Sequence, residues 1–170
     1  MQFVGAQLIR YFFMVLLSEK INNRRILYFD IKDNLEDFKN SELTNWVVFV
    51  IADDINTSIL NPFAEMCIDK NVLYMNASGK ACSEVDDVFD LIMVLRKEVD
   101  GKLPKWMVLE DDVLMTAWDY NVEEGFWFIT MAANYDNHPI DTVLVANFTN
   151  ENYLPQIQDL TAKISSGWMP

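Results

Sequence analysis

Two stretches of this chain gather residue types that could do chemistry. The first, Asn76-Ala77-Ser78-Gly79-Lys80-Ala81-Cys82-Ser83, runs from a β-type segment into a helical one. At such a junction free backbone N–H groups can hold an anion. A thiol at a helix start can also ionise early and act as a nucleophile, which singles out Cys82. The run has only one Gly and its Lys is out of place for a Walker loop, and it is no dinucleotide fingerprint. Ordinary structure accounts for the same residues. Ser83 and Asp86 have the spacing of a capping box, with Asp in place of Glu or Gln, and free cysteine is among the most often buried residue types.

The second feature is the paired acids: Asp53-Asp54, Asp86-Asp87, Glu110-Asp111-Asp112 and Glu123-Glu124. Converging carboxylates can hold Mg²⁺ while substrate phosphates complete its shell. They can also divide acid and base roles when their pKa values are pushed apart. Glu123 and Glu124 follow Asn121, a helix cap, where acids complement the helix dipole. Glu110–Asp112 precede a strand and so fall at its amino end. Asp53 and Asp54 follow a strand without such a reason. A single pair does not make a metal centre, so no metal or cofactor is expected.

Other residue types narrow the chemistry. His138 is the only histidine and sits in the turn sequence Asn137-His138-Pro139, which removes sites built on two imidazoles. Cys67 and Cys82 match neither a disulfide framework nor a metal motif and read as reduced thiols. Trp118, Tyr120, Phe126, Trp127 and Phe128 could stack on a base or a partner's side chain. Core packing accounts for Trp127 and its neighbours, whereas Trp118 stands where a strand meets its end.

The elements that must position these residues alternate between β and α patterns. Strands are expected at Ile26–Ile31, Trp46–Ala52, Val72–Asn76, Val113–Trp118 and Thr142–Asn147. Runs such as Val47-Val48-Phe49-Val50-Ile51 suit strands covered on both faces, as in a parallel sheet. Helical spacing runs through Cys82–Val99, where Val85, Val88, Phe89, Ile92, Leu95 and Val99 recur. Asn61-Pro62 reads as a helix start. Asn121–Tyr135 is apolar nearly all round, and Leu154–Ile164 forms a last helix ended by Gly167. The expectation is one α/β domain over residues 1–170: a doubly wound, mostly parallel five-stranded sheet, Rossmann-like or flavodoxin-like, with helices on both faces. Residues 1–20 are a peripheral apolar element, and 151–170 a carboxyl-terminal helix and tail.

Ligands of such folds sit outside the carboxyl ends of the strands. That rule selects Asp33, Asp53, Asp54, Asn76, Ser78, Gly79, Cys82, Ser83, Trp118 and Asp119, with Asn147, Thr149 and Asn150 behind the last strand. The net charge of −13, from 26 acids against 13 bases, repels nucleic acid and anionic membrane. The apolar run Tyr11–Leu17 is too short to span a bilayer. It also lacks the basic flank and small-residue cleavage site of a signal peptide. A cytoplasmic location is expected.

The pattern Tyr74-Met75-x-x-x-Gly79-x-x-Cys82-Ser83-x-x-Asp86-Asp87 resembles an uncharacterised family of small bacterial acidic α/β proteins. Met115-Thr116-x-Trp118, followed by Glu123-Glu124-x-Phe126-Trp127-Phe128, supports the resemblance, which spans roughly residues 26 to 148. The family pattern often has His after the Trp, where Asp119 stands here. The resemblance implies a bacterial cytosolic protein of matching fold and carries no activity.

The leading functional expectation is an acidic protein-binding module: an immunity or inhibitor protein, or a subunit of a defence complex. It would meet a basic protein partner or a further copy of itself, since acidic patches steer association with basic surfaces. The alternative is an enzyme acting on a nucleotide or nucleoside, with Asp53, Cys82 and Glu124 as acid, base or nucleophile. It rests on fold analogy. A third reading is a structural oligomer subunit docked through residues 1–17.

Overall fold

The computed structural model describes residues 13–32, 34–107 and 112–170. Asp33, Glu110, Asp111 and residues 1–12 of the amino-terminal element lie outside the described residues. A hairpin opens the chain, β1 (Val15–Ile21) and β2 (Arg24–Asp30). Asn22 and Asn23 join them with φ of 50° and 61°. Positive φ at both central residues is the signature of a type I′ turn, whose twist suits a hairpin, and Asn tolerates it best after Gly.

The chain continues as α1 (Leu35–Asn40), β3 (Trp46–Ile51), α2 (Thr57–Asp69), β4 (Tyr74–Ser78) and α3 (Cys82–Leu95). Then come β5 (Met115–Asp119), α4 (Val122–Trp127), β6 (Thr142–Asn147) and α5 (Leu154–Ser165). A π-helical turn prolongs α3 over Arg96–Asp100, and another prolongs α4 over Phe128–Ala132.

The sheet has six strands in the order β1-β2-β6-β3-β4-β5. Five are mutually parallel, and β1 pairs antiparallel with β2. The expected count of five is thus one short, because the amino-terminal element supplies an edge strand instead of lying apart from the sheet. Every residue of β3 and β6 is buried, as strands covered on both faces require.

Two apolar layers clothe the sheet. On one face Leu27, Phe29, Val48, Val50, Met75, Leu144 and Ala146 meet α1, α2 and α3. On the other Ile26, Tyr28, Val47, Phe49, Val143 and Val145 meet α4, its π-turn and α5. The alternation follows from the period of two along a strand.

Helix ends correct two sequence expectations. Helix α2 begins at Thr57, capped by the Asn56 side chain accepting from Ser58 N at 3.1 Å, and Pro62 lies inside it. Asn61-Pro62 is therefore no helix start. Ser83 does not cap α3, whose cap residue is Ala81, and its hydroxyl bonds Glu84 instead. By contrast Asn121 caps α4, accepting from Glu123 N and Glu124 N. Gly167, at φ 92°, follows the last turn of α5. Buried Arg24 closes the end of the α4 π-turn by donating to the carbonyls of Ile129 (2.8 Å), Thr130 (3.0 Å) and Ala133 (2.5 Å).

Candidate functional site

Register aligns the carboxyl ends of the parallel strands. Asp30, Asn147, Ile51, Ser78 and Asp119 form one row across the sheet. All point to the face carrying α4 and α5, since Ile51 packs in that layer. Connections leave this rim in two directions. β2, β3 and β4 lead to helices on one face, and β5 and β6 to helices on the other. Such divergence opens crevices beside β6 and between β4 and β5.

At β6 a polar network fills the crevice. Asn147, 1 % exposed, donates through Nδ2 to Asp30 Oδ1 (2.8 Å), Tyr28 Oη (3.1 Å) and the Glu151 carbonyl (2.8 Å). Its Oδ1 accepts from Thr149 N and Oγ1. Tyr28 Oη donates to Asp30 Oδ1 at 2.9 Å. Burial first, then the bonded Asp30 carboxylate, push the Tyr28 phenol far above its ordinary range, so it stays a neutral donor. Tyr28 and Asp30 were not among the residues selected from sequence. Their signal was parity: two residues apart on a strand, they share a face.

Two shallow recesses flank this network. One, of about 310 Å³, is lined by Asp30, Asn147, Thr149, Glu151 and neighbours. The other, of about 290 Å³, is lined by Asp54, Asn56, Ile59 and Phe148. Lys32 and Asn150 line both and bond each other between them.

The remaining selected residues divide by environment. Asp53 accepts from Lys80 N at 3.2 Å, tying the loop after β3 to the loop after β4. The Asp53 charge also helps hold the Tyr153 phenol above its ordinary value, an effect led by burial. Gly79 takes φ 98° there, and a Cβ on it would stand 2.4 Å from the Ala52 carbonyl oxygen. Asn76 and Ser78 are buried beneath α4. Asn76 Nδ2 donates to the Gly125 carbonyl at 2.9 Å. Ser78 Oγ has no hydrogen-bond partner among the described residues and occupies the space where a Cβ on Gly125 would fall, 2.2 Å away.

Cys82 is fully buried in the layer under α2 and α3, and burial first of all raises its thiol pKa. It stays protonated at neutral pH and faces away from α4, which carries Glu124. The trio Asp53, Cys82 and Glu124 therefore does not converge. Glu124 is exposed and accepts from Asn121 Nδ2 at 3.2 Å. Asp119 accepts from Asn121 N at 2.8 Å, a turn contact. Among the described residues no group of three or more His, Cys, Asp or Glu is placed to share a metal ion.

The outer edge is different in character. Trp118 is 45 % exposed and stacks edge-on with Tyr120, 62 % exposed, their ring centroids 5.2 Å apart. Strand β5 ends the sheet, and Val113 and Met115 are exposed beside it. On α3, packed against β5, Leu91, Val94 and Leu95 are exposed, as is Val99 in the following π-turn. Carboxylates border these residues. Asp90 accepts from Thr116 Oγ1 at 2.9 Å. Asp86 has a buried oxygen without a hydrogen-bond partner among the described residues. Burial, and next the Asp90 charge, raise the Asp86 pKa. No helix among the described residues is long and apolar enough to cross a membrane.

A comparison with curated proteins gives no match. A family model described as "Domain of unknown function (DUF7684)" matches residues 25–164, from the second residue of β2 into the last turns of α5. The polar rim and the apolar outer edge both lie within that span, and the chain belongs to the DUF7684 family of domains of unknown function.

Proposed function

We propose that this protein works by binding another protein, using the edge formed by α3 and β5, and that its partner is basic. The observation that carries this reading is the concentration of exposed apolar side chains there. Eight of the twelve large apolar residues exposed among those described lie on α3, its π-turn, β5 or the segments flanking β5. Surfaces of that kind, rimmed by polar groups, mark contact sites. Aromatic anchors such as Trp118 and Tyr120 commonly supply much of the binding energy.

The border argues for the partner's charge. Asp86, Asp87 and Asp90 lie on the same helix as Leu91, Val94 and Leu95, and Asp86 pairs with no cation among the described residues. A second copy meeting the same edge would set these acids against their own kind, which costs energy. A basic surface would neutralise them and be steered in by the net charge of −13. An immunity-type inhibitor or a subunit of a bacterial defence complex, in the cytoplasm, fits that behaviour.

The test compares tagged wild-type protein with a Leu91→Asp/Val94→Asp variant and with Trp118→Ala in extract of the organism of origin. The reading expects a basic protein to be retained by the wild type and lost from both variants, with retention weakening as salt rises. A wild-type protein that stays a free monomer, or variants that retain the same partner equally well, would overturn it.

A second reading is favoured by the paired recesses beside β6. They lie where connections diverge to opposite faces, a usual place for a nucleotide or nucleoside. In that reading Asp54, which lines one recess with Lys32, would act with it, and Cys82 would take no part. Thermal shift across a nucleotide and nucleoside panel tests it, and uniformly unchanged melting would discard it.

A further inference from the structure

The opposite, amino-terminal edge of the sheet carries a recess of about 340 Å³ with an unusual lining. Lys70, Lys105 and His138 line it together with Asn45, Asn71 and Trp106, and among the described residues no carboxylate does. In a chain with two acids for every base, a cavity whose described lining holds two lysines and no acid is not the expected surface. We propose that this recess binds a small organic carboxylate, with the anionic head between Lys70 and Lys105 and an apolar body against Trp106 and the leucines at its base. The proposal is independent of the protein-binding edge, which lies elsewhere on α3 and β5.

Three observations carry it. The first is that the two lysines share the cavity with no carboxylate among its described lining residues. Lys70 Nζ donates to the Ser41 carbonyl and sits 5.6 Å from the Phe38 ring centroid, and it forms no ion pair among the described residues. Burial lowers the Lys70 pKa, the mark of an ammonium short of solvent, and outweighs the opposing charges of Cys67 and Glu42.

The second is an unused donor. Trp106 Nε1 is buried and has no hydrogen-bond partner among the described residues, although buried indole N–H groups usually find one. Nε2 of His138, whose ring packs 5.2 Å from that of Trp106, is 3.6 Å from Asp112 Oδ1. That is an ion-pair distance for a protonated ring but too long for a hydrogen bond. Asp141 accepts from Asn45 Nδ2 at 2.7 Å, and Glu42 reaches Lys70 as a neighbouring charge without pairing with it among the described residues.

The third is shape. Leu43 and Leu73 add apolar wall beside Trp106, so the cavity pairs a cationic end with an apolar one. Its volume lies at the small end of ligand sites, roughly 300–1,000 Å³. A polyanion would meet the surrounding acidic surface, whereas a small monoanion would not. The same carboxylate chemistry could come from a free acid or from the carboxyl terminus of a peptide.

Titration of ¹⁵N-labelled protein tests the proposal, with the Trp106 indole resonance assigned through Trp106→Phe. The probes are 3-phenylpropionate, a tripeptide ending in a free Phe carboxylate, the amide of each, and inorganic phosphate. Saturable movement of the Trp106 signal is expected with one or both carboxylates, and that difference identifies the source. The amides and phosphate should bind at least about tenfold more weakly, because one lacks the charge and the other the apolar body. Lys105→Gln, at an exposed position, should weaken carboxylate binding by about tenfold while leaving the rest of the spectrum in place. Lys70→Gln should do the same. No saturable movement with either carboxylate, equal binding of an amide, or binding unchanged in Lys105→Gln would overturn the proposal.

Discussion

Replacing Gly79 by Ala tests the junction that sets the rim. Gly79 has φ 98°, and an added Cβ would lie 2.4 Å from the Ala52 carbonyl oxygen and 3.1 Å from Asp53 Oδ1. The first neighbour is backbone and cannot swing aside. A side-chain-bearing residue held in so sparsely populated a conformation costs on the order of 1–3 kcal/mol. Displacing the Ala52 carbonyl endangers the bond it accepts from Ala81 N at 3.0 Å, and the Lys80 N to Asp53 bond beside it. Each is worth about 1 kcal/mol. The expected loss is about 3–5 kcal/mol, a large part of a domain's stability of roughly 5–15 kcal/mol.

Urea unfolding followed by tryptophan fluorescence measures it, with Gly101→Ala as the control. Gly101 also has positive φ, 60°, but no heavy atom lies within 4 Å of its added Cβ. It should lose only the conformational part, about 1–2 kcal/mol. If Gly79→Ala unfolds at the same urea concentration as Gly101→Ala, the close approach at Ala52 is not what makes glycine necessary, and the account of the junction fails.

Arg24→Met should cost about 3 kcal/mol in the same assay, because three carbonyls lose a buried charged donor; a loss under about 1 kcal/mol would show the guanidinium to be replaceable there. Neither Cys67 nor Cys82 should react with a thiol reagent in the native protein, since both are fully buried with raised pKa values, and both should react in denaturant; rapid native labelling of Cys82 would restore it as a nucleophile. For Asp86 the folded pKa is raised, so the native state holds its proton more tightly than the unfolded chain does. Its contribution to stability is then full below the ordinary value of 3.8 and is lost as pH rises through the raised value. Asp86→Asn should therefore melt higher than wild type at pH 7, by a margin that shrinks toward pH 3, and a margin independent of pH would contradict the assignment.

The parallel strands were legible because burial on both faces removes polar residues from a strand, as in Val47–Ile51. The antiparallel β1 was not. As an edge strand it carries Ser18, Glu19 and Lys20 in the sheet, and bulges interrupt its pairing with β2. Its turn, Asn22-Asn23, lacks the glycine that usually announces a hairpin. The start of α2 was misplaced for a related reason. Proline signals a first turn only when nothing capable of capping precedes it, and Asn56 does so six residues earlier.

For the rim, sequence supplied the strand ends but not which face each residue takes. Ser78 pairs with Asp119, and Ala77 with Trp118. The first pair therefore faces α4 while Trp118 faces the side of α3, a distinction that depends on register between strands distant in sequence. The face of Cys82 was readable. Cys82, Val85, Phe89 and Ile92 form one helical stripe, and extending the stripe back a turn places the thiol in the core.

The same helix holds the evidence for a partner in its own pattern. At 100° per residue, Val85, Phe89 and Ile92 cluster on one side, and all three are buried. Leu91 and Val94 occupy the opposite half of the circle and Leu95 stands at its margin, and all three are exposed. One buried face needs an apolar stripe only somewhat wider than about 100°. Counting Leu95 and Val99 with the core stripe, as periodicity alone invites, hides that surplus. A helix at the margin of a sheet that is apolar on two sides has one side more than its own fold consumes. In a chain this acidic, the second side stabilises nothing within the described structure, and contact with another molecule gives it a physical role.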